Sequence, residues 1–368
     1  MGFDFFKPKI NLSRFDWLLF GAVILLISIG LVIQYSLDLG LNDFSSFKKQ
    51  LIFSIIGILI FWGLTVTNYR RFKEYAYYIY GLALVLLILS LIFGKVIRGT
   101  QGWLLGFQVA EFAKFALVIM LARFWADNLE KYPRTKKVIL GSLLAVLSIV
   151  LVLLQPDFGS AFILIAITFF SITMIDRSWK NVIKIVVVSA IVLVVAWMFV
   201  FKDYQKERVL NFVDPQRDPM GSGYQVTQSI IAVGSGEFLG RGFGLGSQSQ
   251  LKFLPEARTD FVFSVVAEEL GFVFSFITIF LYGVIFWRLT TICLRVYDDF
   301  SLLLVFGVGS FLISQVMINI GMNLGLAPIT GITLPLLSYG GSSLIISLMF
   351  FGLVESVQRH QVQRTNLD

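Results

Sequence analysis

The sequence predicts an all-α, polytopic membrane protein with about ten transmembrane helices and one long extracytoplasmic loop between the seventh and eighth. Three observations carry this expectation. The 368 residues are 57% hydrophobic and only 14% charged, with a mean hydropathy of +0.82, a composition that soluble globular domains do not have. The apolar residues fall in runs of about 20, the length a helix needs to cross a bilayer. Alternate short loops differ sharply in basic charge, with eighteen lysines and arginines on one side against four on the other. The basic side is cytoplasmic by the positive-inside rule, so both termini are expected there.

The elements follow in order. Residues 1–16 read as a cytoplasmic tail in which Lys7, Lys9 and Arg14 precede the first apolar run. No small-x-small cleavage signal follows, so that run reads as a retained span. Spans one to seven occupy 17–201, beginning with runs at roughly 17–37, 48–66, 76–93 and 107–126. The stretch 138–175 is too long for one crossing and is interrupted by Gln155-Pro156-Asp157. Proline breaks the helical ladder and disfavours helix at the residue before it, so two spans joined by a tight turn are expected. The seventh span covers roughly 182–201. Spans eight to ten occupy 260–357, at roughly 261–287, 301–321 and 336–357, before a cytoplasmic tail at 358–368. The whole chain reads as one membrane domain.

Residues 202–259 form the large extracytoplasmic loop. Loops of this length are functional or disordered, and the recurring Phe, Val, Leu and Ile argue for order. Residues 223–233 have the pattern of a short amphipathic helix at the interface. Glycines at 234, 236, 240, 242, 244 and 246 allow sharp bends or close backbone approach.

Several functions are excluded. The pI near 9.4 reflects basic residues in short loops between apolar runs, which fits lipid headgroups and not nucleic acid. A single cysteine, Cys293, rules out an intrachain disulfide, and a single histidine, His360, rules out histidine-dependent triads and histidine zinc sites. No Gly-x-x-x-x-Gly-Lys-Ser/Thr motif is present, so nothing indicates ATP-driven work.

The charged groups that accompany the spans are the candidates for chemistry. "KFLPEARTDFVFSVVAEELGF", residues 252–272, leads Lys252, Glu256, Arg258 and Asp260 into an apolar helix that then carries Glu268 and Glu269. Charge at hydrocarbon depth costs at least about 2.5–3.5 kcal/mol per residue on the insertion scale. Asp260 stands where helix N–H groups and the dipole keep a carboxylate ionised, so it is either a helix-start residue or a functional acid. Glu111 and Lys114 are three apart on one helical face, as an ion pair or as part of a site. Asp157 is placed to cap the sixth span. Glu268 and Glu269 have no partner identifiable from sequence.

The motifs "QPDFGSAF", "RVLNFVDPQRDPMGSGYQ", "GEFLGRGFGLGSQSQLKFLPEARTDFVFSVVAEELGF" and "PITGITLPLLSYGGSSL" stand in the order seen in the SEDS family (shape, elongation, division and sporulation). The resemblance runs from the first span to the last and includes the ten-span count. "NIGMNLGLAPITGITLPLLSYGGSS" with "GSQSQLKFLPE" resembles the RodA branch more than the FtsW branch. It implies a peptidoglycan glycosyltransferase that polymerises lipid II, the undecaprenyl-pyrophosphate-linked disaccharide-peptide, at the outer face of the cytoplasmic membrane beside a class B penicillin-binding protein. It puts Asp260 at the aspartate of the family's Thr-Asp-Phe motif, the residue held to be catalytic. It puts Glu111, Lys114 and Asp157 at polar positions around a central cavity. The chain departs from the family where Arg258 replaces the usual histidine, and where "GFQVAEFAK" stands in place of the commoner Gln-Pro-Ser-Glu.

Elementary chemistry is compatible with that assignment. A sugar on a lipid pyrophosphate is already activated, so no nucleotide or resident cofactor is needed. One carboxylate acting as base suffices for the acceptor hydroxyl, a contribution of typically 10²–10⁴-fold. The leaving pyrophosphate calls for cationic stabilisation, from Arg208, Arg241, Lys252 or Arg258, or from a divalent cation such as magnesium or manganese. Of the two roles open to Arg258, gripping the pyrophosphate is favoured over holding Asp260 ionised, because the backbone at a helix start already keeps that carboxylate charged. The alternative function is a lipid II flippase, for which an intramembrane Glu111/Lys114 pair in a helix bundle would line a translocation path.

Overall fold

The computed structural model describes residues 14–40, 43–97, 99–128, 133–175 and 221–360, with isolated positions between 183 and 214. The expected seventh span at 182–201 and the candidate Arg208 lie outside the described residues.

The described chain is helical apart from one small sheet. The long helices are α1 (Trp17–Leu39), α2 (Ser45–Val66), α3 (Arg70–Phe93), α4 (Val109–Asn128), α5 (Arg134–Leu154) and α6 (Phe158–Ile175). Two short helices of the large loop follow, α7 (Ser222–Ser235) and α8 (Ser247–Gln250). The chain then forms α9 (Val262–Arg295), α10 (Asp299–Asn323) and α11 (Gly341–His360). Eight of these are long and apolar enough to cross a membrane. The ninth long helix, α4, is 20 residues but carries Glu111, Lys114, Arg123 and Asp127.

That charged helix is the centre of the bundle. Residues Val109 to Leu121 of α4 are buried apart from Phe112, with Ala110, Ala113 and Ala116 among them. Small residues let neighbouring helices approach closely where no hydrophobic effect drives them together. α4 packs against α3, α5, α6, α10 and α11, while α2 packs on α11 and α1 on α9. The rim is apolar and outward-facing, as at Leu59 of α2 and Phe93 of α3, which a lipid solvent requires.

Between α3 and α4 the chain makes an antiparallel three-stranded sheet, β1 (Lys95–Ile97), β2 (Thr100–Leu104) and β3 (Phe107–Gln108). Gln101 N donates to Gln155 O at 3.2 Å, which ties this sheet to the α5–α6 turn.

Two departures from the sequence expectation shape the site. The last helix begins at Gly341, not near 336. Residues 326–340, with Pro328 and Pro335, form an irregular segment; the Tyr282 hydroxyl anchors it by donating to Pro335 O at 2.5 Å. The eighth span is broken at Gly271 (φ 75°, ψ −170°). The N–H groups freed by this break are taken up by the large loop: Phe272 N donates to Glu237 O at 3.0 Å and Val273 N to Phe238 O at 3.3 Å. On the other side of the break, Arg241 N donates to Glu268 O at 2.9 Å and Gly242 N to Glu269 O at 3.1 Å. Residues 237–242 thus repair both ends of the interrupted ladder. The approach is so close that a methyl group on Gly240 would overlap the Glu269 carbonyl oxygen. The loop glycines serve the packing of loop on helix.

Candidate active site

The segment 256–260 is held by every element around it. Glu256, at φ 54°, turns the chain so that its carbonyl accepts from Thr259 N and Asp260 N at 3.1 Å and from Phe261 N at 3.3 Å. The next carbonyls are then fixed one by one. Arg258 O accepts from Gln34 Nε2 of α1 at 3.0 Å and from Tyr339 N at 2.8 Å. Thr259 O accepts from Ser338 Oγ at 2.5 Å. Asp260 O accepts from Asn319 Nδ2 at 2.9 Å and Asn323 Nδ2 at 3.0 Å, both on α10. Three successive carbonyls anchored from α1, from the 326–340 segment and from α10 leave this backbone little freedom to move.

The Asp260 side chain is half-buried. It faces Gly331, where an added Cβ would lie 3.7 Å from Asp260 Oδ2. In the first turn of α9, the Ser264 N–H is bound by Asn323 Oδ1 at 3.0 Å and the Ser264 hydroxyl by the same oxygen at 2.7 Å. Asn323 of α10 therefore supplies a cap for α9 at this N–H.

Arg258 is committed to the α1–α2 junction. Its guanidinium pairs with Asp38 at 2.6 Å and donates to Ser46 Oγ and, at 3.3 Å, to Leu37 O. Asp38 has no exposed surface, and its second oxygen accepts from Phe47 N at 2.8 Å. Arg241 is likewise engaged within the loop, donating to Ser235 O at 3.2 Å and Ser247 Oγ at 3.1 Å. Glu256 is exposed, and its Oε2 accepts from Thr259 Oγ1 at 3.1 Å. Lys252, at φ 63°, is exposed.

The two glutamates of α9 are bound by the loop. Glu268 accepts from Gln248 N at 2.7 Å and Ser249 N at 3.0 Å, at the start of α8. Glu269 accepts from Ser36 Oγ at 2.5 Å, Gln250 Nε2 at 2.8 Å and Gly244 N at 3.4 Å. Their carboxylates replace water with N–H and O–H donors, which offsets the desolvation that makes buried charge costly.

Glu111 and Lys114 form a buried pair at 2.7 Å, 4% and 1% exposed. Asp157 sits close in sequence order to the start of α6 and caps it, with Oδ1 accepting from Ser160 N at 2.9 Å. Its other oxygen accepts from Gln108 Nε2 at 2.9 Å, just ahead of α4. Gln108 N in turn donates to Ser342 Oγ of α11 at 3.0 Å.

Of the residues nominated from sequence, Glu256, Arg258 and Asp260 share one tightly anchored segment, and Glu111, Lys114 and Asp157 cluster around the head of α4. Sequence reasoning missed Asp38, Gln34, Ser338, Asn319 and Asn323. The signal for the last two was present, because "NIGMN" places two asparagines four apart in an apolar span, and polar groups at that depth mark function. Among the described residues, no group of three or more His, Cys, Asp or Glu is placed to hold a metal ion.

Comparison with known proteins identifies the family. The profile of the cell cycle protein family FTSW_RODA_SPOVE matches residues 15–363. The chain is 36% identical over 324 residues to the peptidoglycan glycosyltransferase MrdB of Escherichia coli K12, covering 87% of each chain. It is 34% identical over 361 residues to the stage V sporulation protein E of Bacillus subtilis, covering 94% of this chain and 97% of the relative. In structure it resembles a chain of a peptidoglycan synthase complex that coordinates polymerization and crosslinking, with a TM-score of 0.79, 36% identity and coverage of 94% and 98%. It also resembles the rod shape determining protein RodA of Thermus thermophilus, with a TM-score of 0.71, 30% identity and coverage of 97% and 100%. With the family profile spanning all but the two ends of the sequence and the fold matching at this level, the chain belongs to the FtsW, RodA and SpoVE family of cell cycle proteins.

Proposed function

We propose that this protein is a peptidoglycan glycosyltransferase that polymerises lipid II, with Asp260 as general base. The observation that carries this reading is the anchoring of the carbonyls of Arg258, Thr259 and Asp260 by three separate elements. Such anchoring pre-organises one half-buried carboxylate at the head of the bundle. The Asp260 carboxylate takes the proton of the acceptor hydroxyl. The hydroxyl oxygen bonds to the anomeric carbon of the donor from the face opposite the pyrophosphate. The bond from that carbon to the pyrophosphate oxygen breaks, and the lipid pyrophosphate leaves with the electron pair, inverting the anomeric centre.

Of the described loop cations nominated from sequence, Arg241 and Arg258 are engaged by protein oxygens, and the exposed Lys252 is assigned here to the leaving pyrophosphate. The membrane is the bacterial cytoplasmic membrane, with both termini on the cytoplasmic side and the Asp260 end outside. A class B penicillin-binding protein is the natural partner, supplying crosslinking beside polymerisation.

The competing reading is lipid II translocation through the bundle. The near-complete burial of Glu111 and Lys114 favours polymerisation, because their charges are spent on each other and not on an open path. Purified protein given lipid II in detergent separates the two. Sidedness is lost there, so a polymerase makes glycan strands visible on a gel and a flippase makes none.

A further inference from the structure

Three helices bring to one level of the core polar atoms that, among the described residues, have no hydrogen-bond partner in the protein. α10 ends at Asp260, whose carbonyl Asn319 and Asn323 hold. α4 begins at the same end of the bundle, since Gln108 N meets Ser342 Oγ and the adjacent Ser343 meets Thr333, two residues from the Gly331 that Asp260 faces. The two helices therefore run antiparallel, and Gly307 marks their register: a Cβ added there would lie 2.8 Å from Val118 Cγ1. Moving from that contact toward Asp260, Glu111 is seven residues from Val118 and Gln315 eight from Gly307. Those spacings are roughly 10 and 12 Å along the two axes. α11 runs alongside α4 in the same sense, since Gln108 N meets Ser342 Oγ at 3.0 Å and the Phe115 and Phe350 rings meet at 5.2 Å. The Phe350 ring also meets that of Phe311 on α10 at 4.7 Å. Phe115, Phe311 and Phe350 therefore form one aromatic layer. Glu111, Gln315 and Ser347 each lie about one helical turn nearer Asp260.

This level is sealed. Gln315 and Ser347 have no exposed surface, and Glu111 is 4% exposed. Among the described residues, Gln315 Oε1 and Nε2, Ser347 Oγ and Glu111 Oε2 have no hydrogen-bond partner in the protein. A buried polar atom left unsatisfied is strongly unfavourable, and the set contains both donors and acceptors. Buried water typically makes about three hydrogen bonds to just such groups.

We infer that Glu111, Gln315 and Ser347 form an internal binding site for ordered water. Water there donates to Glu111 Oε2 and accepts from Gln315 Nε2 or Ser347 Oγ. It satisfies the side of the Glu111 carboxylate that faces away from Lys114. Gln315 and Ser347 are then positioning residues for Glu111 and Lys114. Gln315 also lies one turn below Asn319, which holds the Asp260 carbonyl. The inference stands whether or not Asp260 is the base.

Two measurements on the full-length protein in lipid nanodiscs test it. A structure at a resolution that shows ordered water is expected to place density within hydrogen-bond reach of Glu111 Oε2 and of Gln315 or Ser347. A direct Gln315–Glu111 hydrogen bond with no such density overturns the site. In thermal unfolding, Gln315→Leu replaces the amide with an apolar group of similar size. It is expected to lower Tm by a few degrees, because the water loses a partner and Glu111 loses the water. In the Glu111→Gln/Lys114→Met background the same change is expected to lower Tm by less than half as much. A rise in Tm, or an equal fall in both backgrounds, means that the level is dry. Should Gln315→Leu not fold, the density measurement decides alone.

Discussion

The Arg258 guanidinium is bound to the carboxylate of Asp38 at 2.6 Å, across 220 residues of sequence. Asp38 is fully buried and the arginine side chain is 23% exposed. The pair locks the end of α1 and the start of α2 to the segment that carries Asp260. It gives Arg258 a holding role in this chain.

Asp38→Asn keeps the shape of the side chain and removes its charge. Because Arg258 retains Leu37 O, Ser46 and some solvent, the loss is expected to be about 1–3 kcal/mol, read by thermal unfolding in detergent. Arg258→Gln is expected to destabilise similarly while changing the apparent KM for lipid II less than about threefold. A KM raised about tenfold or more by Arg258→Gln would instead put the guanidinium on the pyrophosphate.

Glu111→Gln and Lys114→Met each strand one buried charge, and each is expected to cost about 3–5 kcal/mol. The double variant strands none and is expected to unfold at a higher temperature than either single. Glycan synthesis restored in the double variant would make the pair purely structural. A double variant as inactive as the worse single would give these side chains a part in substrate handling.

The spans were legible because bilayer thickness enforces runs of about 20 apolar residues, and Pro156 marked the boundary between α5 and α6. The short loop helix α7 was legible from its amphipathic pattern. The break at Gly271 was not, since the apolar run continues through it and a single glycine inside a helical pattern is ordinarily tolerated. The partners of Glu268 are mainly backbone N–H groups some 20 residues upstream, and those of Glu269 include the Ser36 hydroxyl of α1 and the Gln250 amide, pairings that no sequence rule supplies. The start of α11 was placed too early because Pro335-Leu336-Leu337 reads as the head of an apolar span. In the fold, the residues that follow it, Ser338 and Tyr339, instead hold the carbonyls of Thr259 and Arg258. Asp38 was invisible for a different reason: its value depends on α1 lying beside α9, which only the tertiary fold reveals.

Gly240→Ala is expected to unseat the large loop from α9. The position has φ 83° and its Cβ would overlap the Glu269 carbonyl oxygen, so strain and lost hydrogen bonds together cost at least about 2 kcal/mol. Limited proteolysis between 236 and 254 should accelerate while the rest of the chain stays resistant. Unchanged protection of this segment would mean that the loop is held from elsewhere.

Glu268→Ala removes the acceptor of the Gln248 and Ser249 N–H groups. Hydrogen exchange at 247–250 is expected to quicken by about tenfold or more, the rate equivalent of the 1–3 kcal/mol that an orphaned buried donor costs. Glu269→Gln keeps an acceptor for Ser36 and is expected to be the milder change. The opposite order would assign the loop to Glu269 alone.

The most direct test of the account is glycan synthesis by Asp260→Asn. Asparagine preserves the size of the side chain, and the backbone contacts to Asn319 and Asn323 involve the carbonyl and survive the change. Purified variant and wild type, matched for thermal unfolding, are each given lipid II in detergent and their products separated on a gel. The account predicts a folded variant whose polymerisation rate falls by about 10² or more, the loss of a general base. Near wild-type glycan synthesis by folded Asp260→Asn would contradict it.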